Sequence, residues 1–238
     1  MIGVERFLIV NADDFGMSRT VNQGIIEAHD RGIVTSASLL VDWPGAEEAV
    51  QYARSHPGLG VGLHADLGEW NWDGPDWCVD YERVADGDPG AISAELGRQL
   101  EEFRRLVGRD PTHLDSHQDV HRRTPFRGVF LAMSRSLGLP LRGFTPDVIH
   151  CGCFYGQTRT GEPLPGAIGV EALLEIFETL SPGQTELGCH PGAGDGPGPG
   201  YRTERAIETR TLCDPRVRTA LAERGITLCS FADRRVRA

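Results

Sequence analysis

The chain has no Cys-x-x-Cys pair among its six cysteines, which excludes a zinc ribbon and a thioredoxin-like redox motif. Cys151 and Cys153 read as a coincidence within a loop rather than as a metal pair. No apolar run approaches the roughly 20 residues needed to span a bilayer. Basic residues are in the minority: 24 Lys and Arg stand against 34 Asp and Glu, for a formal net charge of −10. That balance argues against a nucleic-acid-binding surface and against a polybasic membrane anchor. The opening residues, Met1 to Phe7, lack the layout of a signal peptide, so reduced thiols and a cytoplasmic location are expected. The first strand-like run is not followed by a glycine-rich dinucleotide-binding turn, and there is no internal repeat.

What is present is a regular alternation of apolar runs and helical patterns. Strands are predicted over 7–12, 36–41, 60–65, 112–116, 141–144, 184–189 and 226–230. Helices are predicted over 21–31, 44–55, 92–107, 126–137 and 169–180, and across 201–223 with a new segment beginning at Pro215. About seven β–α alternations imply α/β architecture with about seven parallel strands, closed into a distorted TIM-like barrel. A length of 238 residues suits one such domain spanning 1–238. Two stretches break the rhythm: 66–90, which holds Trp70, Trp72 and Trp77, and the glycine- and proline-rich 191–200. Both are expected to be irregular loops.

Polar motifs recur where the predicted strands end. Asn11-Ala12-Asp13-Asp14-Phe15-Gly16 places two adjacent carboxylates after the first strand. The plain alternative is a turn in which Asp14 caps the next helix and Asp13 is solvated. His64 ends the third strand, and Asp66 either shares its face or begins the loop. Residues 113–121 hold three His and two Asp. As a strand they put His113, Asp115 and His117 on one face; as a helix they put His113, His117 and His121 there. His190 ends a late strand. In β/α barrels the catalytic groups sit at the C-terminal strand ends. One Asp and two neutral imidazoles suffice for a divalent cation with open positions, which describes hydrolysis of an amide or an ester. A run of Arg122, Arg123 and Arg127 reads as a solvated helix start.

Assembled, these motifs resemble those of the YdjC/ChbG-type carbohydrate deacetylases nearly end to end. The resemblance rests on the segment from Leu8 to Ser18, on Gly24 to Ala28 and on Gly32 to Ser38. It continues through Gly60 to His64, Pro111 to His117 and Gly188 to Pro191. It implies a distorted β/α barrel that removes an acetyl group from an N-acetylated amino sugar or oligosaccharide. It also implies a divalent metal, usually magnesium, on residues matching Asp14, His64 and His117; the donor set suits zinc as well. Asp13 matches the general base and His190 the general acid. One departure is Asp119, where the family commonly has His.

Trp70, Trp72 and Trp77 read equally as sugar-stacking rings or as a hydrophobic lid. Two other functions compete: a metal-dependent amidase or esterase acting on a non-sugar metabolite, and a catalytically silent sugar-binding module. The sequence leaves a homo-oligomer open.

Overall fold

Phe7 to Val10 is apolar at every position, so this strand can be covered on both faces, and Leu8, Ile9 and Val10 are fully buried. In the computed structural model, which describes residues 5–72, 74, 76–84, 87–194 and 201–233, it is the centre of the sheet. Strand β1 (Arg6–Phe15) is followed by α1 (Arg19–Asp30), β2 (Ser36–Leu39), α2 (Ala46–Ser55) and β3 (Gly60–Ala65). A hairpin, β4 (Gly68–Trp72) and β5 (Trp77–Glu82), precedes α3 (Pro89–Val107) and β6 (Leu114–Ser116). Then come α4 (Phe126–Leu137), β7 (Val148–Cys151), α5 (Val170–Thr179) and β8 (Gly183–Cys189). Helices α6 (Thr203–Leu212) and α7 (Pro215–Glu223) lead to β9 (Ile226–Leu228).

Seven parallel strands form one sheet in the order β6-β3-β2-β1-β8-β7, with β9 pairing the first residues of β1. This is the distorted β/α barrel expected from the alternation. Among the described residues β6 and β7 do not pair, so the barrel stays open between them.

The helices begin and end where side-chain chemistry directs them. Ser18 caps α1 by accepting from Val21 N, and Val21, Ile25 and Ala28 face the core. Asp88 caps α3, Pro89 opens it, and Gly108 closes it in the left-handed conformation. Asp214 and Pro215 start α7 in the same manner.

Two expectations need correction. Residues 66–90 are not simply loop, because β4 and β5 pair antiparallel there. The predicted strand over 141–144 reduces to a single bridge between Leu141 and Leu114, since the chain turns at Gly143 with φ 71°. The strand itself lies later, at β7. Of the 191–200 run, residues 195–200 lie outside the described part. Gly62 has a definite reason to be glycine: a Cβ there would lie 2.4 Å from the His113 ring.

Candidate active site

The C-terminal strand ends open into a cleft of about 860 Å³, lined by Asp13, Asp14, His64, His117 and His190. Four strand ends contribute. A regular strand would send Asp13 and Asp14 to opposite faces. The pairing of β1 with β2 slips between Ala12 and Phe15, and Asp14 takes φ 67°. This bulge turns both carboxylates into the cleft, at the cost of a left-handed non-glycine residue. The helix-capping alternative fails, because Ser18 is the cap and both aspartates are buried.

His113, Asp115 and His117 follow the strand reading. Asp115 accepts from His64 Nδ1 at 2.8 Å and from Ser38 Oγ at 2.6 Å. Beneath it, His113 contacts the same Ser38 Oγ at 3.1 Å and stacks on Phe231, so it is a core residue. Burial pushes the His113 imidazole down to about 4. His117 begins a short 3-10 segment in which Gln118 and Asp119 are left-handed.

One carboxylate oxygen, Asp14 Oδ1, faces His117 Nδ1 at 3.1 Å and His64 Nε2 at 3.5 Å. One ligand atom from each of the three residues lies within 4.8 Å of the others. These residues fit a divalent cation. The Asp115 carboxylate fixes the proton of His64 on Nδ1, so the neutral ring aims its Nε2 lone pair at the Asp14 oxygen. Two acceptors face each other there, and a cation or a proton must lie between them. Without a cation the proton serves: burial opposes it, but the Asp115 carboxylate raises the His64 pKa well above its usual range. His117 Nε2 is buried with no hydrogen-bond partner, so no other protein group competes for that ring. A second candidate group, Asp13, His64 and Asp115, is already served by a guanidinium. Arg142 Nη2 lies 2.8 Å from Asp115 Oδ2.

Sequence reasoning missed that arginine. Arg142 is fully enclosed, grips Asp13 with two hydrogen bonds of 2.6 Å and reaches Glu186 at 2.7 Å. It falls inside the predicted strand over 141–144, and nothing in the local spacing marks it as part of the site. Arg205 on α6 was also missed, and its spacing carries no signal; it donates to Asp14 Oδ2 at 2.6 Å. Burial alone would raise the Asp14 pKa, but Arg205 together with His117 and His64 outweighs it and holds the carboxyl well below its usual range. His190 Nε2 lies 3.8 Å from Asp13 Oδ2, and burial lowers the His190 pKa. Asp119 stands at the cleft edge, 3.3 Å from Arg122 and outside the three-ligand group.

The three tryptophans all line the cleft, in different settings. Trp70 packs on the core, its backbone bonded twice by the Gln118 side chain, with Arg123 over its ring. Trp72 and Trp77 meet edge to face at 5.8 Å on the hairpin, and Trp77 is 55% exposed. Asp66 serves structure: it accepts from Trp43, Tyr81 and Arg83 and so fastens the base of the hairpin.

With this geometry established, comparison with known proteins places the chain. A carbohydrate deacetylase of Geobacillus stearothermophilus is 34% identical, across 96% of this chain and 98% of its own length. A chitooligosaccharide deacetylase of Serratia marcescens is 32% identical, across 97% of this chain and 100% of its own. A crystal structure from Enterococcus faecalis V583, of a protein whose name assigns it provisionally to cellobiose-phosphate cleavage, superposes with TM-score 0.76. It is 30% identical, and the match covers 95% of this chain and 98% of that one. The model of the YdjC-like protein family matches residues 7–223, and the chain belongs to that family.

Proposed function

We propose that the chain is a metal-dependent hydrolase that removes the N-acetyl group of an amino sugar or its oligosaccharide, releasing acetate. The observation that carries this reading is the convergence of two carboxylates and three imidazoles from four strand ends on one cleft. The names of the two deacetylase relatives support the choice of substrate class.

Asp14, His64 and His117 would hold the divalent cation, magnesium by resemblance or zinc by donor chemistry. When bound, it would supply Lewis-acid polarisation of the acetyl carbonyl and acidify water. Asp13 is the proposed general base. Its bidentate pair with Arg142 keeps it aimed at the cleft, where it takes a proton as water attacks the carbonyl carbon. His190, across from Asp13, then protonates the amide nitrogen as the C–N bond breaks, giving acetate and a free amine. Trp72 and Trp77 would stack on sugar faces, and Trp70 anchors the hairpin that carries them. A cytoplasmic location completes the reading.

Acetate release from N,N′-diacetylchitobiose, with metal content measured on the same sample, tests it. Chelation should abolish release, and adding back magnesium or zinc should restore it and identify the better ion. Undiminished release after chelation would remove the cation from the reading. No release from any acetamido sugar in the metal-loaded protein would remove the deacetylation itself.

A further inference from the structure

The imidazole of His190 is oriented without a carboxylate partner. Its Nδ1 is buried and unbonded, and its Nε2 is 3.8 Å from Asp13, too far for a hydrogen bond. A proton donor held this loosely would sample several ring orientations, and few of them would reach the leaving nitrogen.

What surrounds the ring restricts it. Tyr155 meets His190 nearly edge-on at 5.4 Å, and Tyr201 lies tilted at 5.4 Å on the same imidazole. The two tyrosines stack on each other at 4.7 Å. This aromatic wall is itself tied from behind. Glu208 on α6 is fully buried and has one oxygen on the Tyr201 hydroxyl and the other on the His190 backbone N–H. The same hydroxyl accepts from Gly156 N at 2.7 Å, which ties in the loop that presents Tyr155. One buried carboxyl therefore couples the backbone of His190 to the rings that pack on its side chain. Neither the cation group nor the Asp13–Arg142 pair uses this carboxyl.

We propose that Glu208 and Tyr201 are positioning residues for His190, clamping its backbone and its ring so that the imidazole stays aimed at the departing amine. This rests on the deacetylase reading, in which His190 gives its proton to the amide nitrogen as the bond to the acetyl carbon breaks.

Three variants test the clamp: Tyr201→Phe, Glu208→Ala and Glu208→Gln. The leaving group separates positioning from general damage. An acetamido sugar departs as an amine and needs the proton; 4-nitrophenyl acetate departs as a stable phenolate and does not. Tyr201→Phe and Glu208→Ala should lower kcat on diacetylchitobiose by about 100-fold, the usual scale of a general-acid contribution, with KM within about threefold. Turnover of 4-nitrophenyl acetate should change by less than about twofold, because the nucleophilic half of the site is untouched. Glu208→Gln keeps an acceptor for the His190 N–H and a polar partner for Tyr201, and should recover most of the loss. Equal losses on the amide and the activated ester would overturn the clamp in favour of a purely structural role, as would unchanged amide turnover. A readout independent of turnover separates this from the broader reading. The His190 Cε1–H resonance should shift or broaden in Tyr201→Phe and Glu208→Ala. An unchanged resonance in the folded variants overturns the clamp even if the wild-type protein releases no acetate.

Discussion

Asp13 and Asp14 are chain neighbours of the same residue type, yet their surroundings set them different tasks. Asp14 has one oxygen on Arg205 and the other toward two imidazoles, so it is placed to share a cation. Asp13 has both oxygens on Arg142 and a third contact from Asn11 Nδ2 at 2.9 Å, so a guanidinium rather than the Asp14 group takes up its charge. Asp13→Asn should therefore lower acetate release by at least about 100-fold while leaving bound metal near the wild-type amount. Parallel assays of turnover and metal content check both halves, and near-wild-type turnover removes Asp13 from its role. At this scale the sequence was informative for acids and imidazoles. Asp13, Asp14, His64, His117 and His190 sit at strand ends, and strand ends can be read from apolar runs. The arginines were hidden. Arg142 and Arg205 come from positions 142 and 205, and nothing local marks an arginine as buried among carboxylates rather than solvated. Tyr201 and Glu208 were hidden for the same reason.

At the scale of elements, all the predicted helices form, because capping residues and apolar spacing are local signals. The hairpin was illegible for a physical reason. Strand β5 is exposed at most of its positions, so it never needed the apolar alternation that marks a strand. Its two ends depend on distant partners instead, Asp66 at the base and Gln118 beside Trp70. The three tryptophans should therefore separate by assay. Trp77→Ala, at the exposed tip, should raise KM for an oligosaccharide by about tenfold, the equivalent of one lost stacking contact, and leave the melting temperature unchanged. Trp70→Ala should instead destabilise the fold by about 1–3 kcal/mol in urea denaturation, since its ring packs on the core. If Trp77→Ala leaves KM unchanged for every acetylated oligosaccharide that is turned over, the hairpin covers the cleft without reading the sugar.

Taken whole, the molecule buries an unusual set of titratable groups, and these predict how its stability responds to acid. Burial pushes His113 and His121 down to about 4, against an ordinary value near 6.5. Both rings are neutral in the fold: His113 stacks on Phe231, and His121 is held by Ser116 Oγ and the Arg142 carbonyl, with the Asp119 carboxylate no nearer than 4.0 Å. Between pH 6.5 and 4 the unfolded chain binds protons at these sites that the folded chain refuses, so stability falls as the pH falls. Each contributes on the order of 3 kcal/mol across the full window. Glu208 acts in the opposite sense. Burial pushes its carboxyl up to about 8, so the folded form holds a proton that the unfolded form has released above pH 4.5, and this favours the fold toward lower pH. His64, raised against burial well above its ordinary range chiefly by the Asp115 carboxylate, stays protonated in the cation-free fold, and below pH 6.5 the unfolded ring takes up its own proton, so this residue adds little slope there. Burial also lowers His29 and His190 and raises Glu69, so lowered imidazoles outnumber raised carboxyls and unfolding takes up protons on balance. The urea midpoint of the metal-free protein should accordingly drop from pH 6.5 to pH 4.5. In His121→Gln, which keeps an amide donor toward the Arg142 carbonyl, the drop should shrink by about one proton's worth of slope. In Glu208→Gln it should steepen by the same amount, because the opposing group is gone. A midpoint that is flat in all three proteins would mean that these groups titrate alike in the folded and unfolded chains, and that burial does not keep the two histidines neutral.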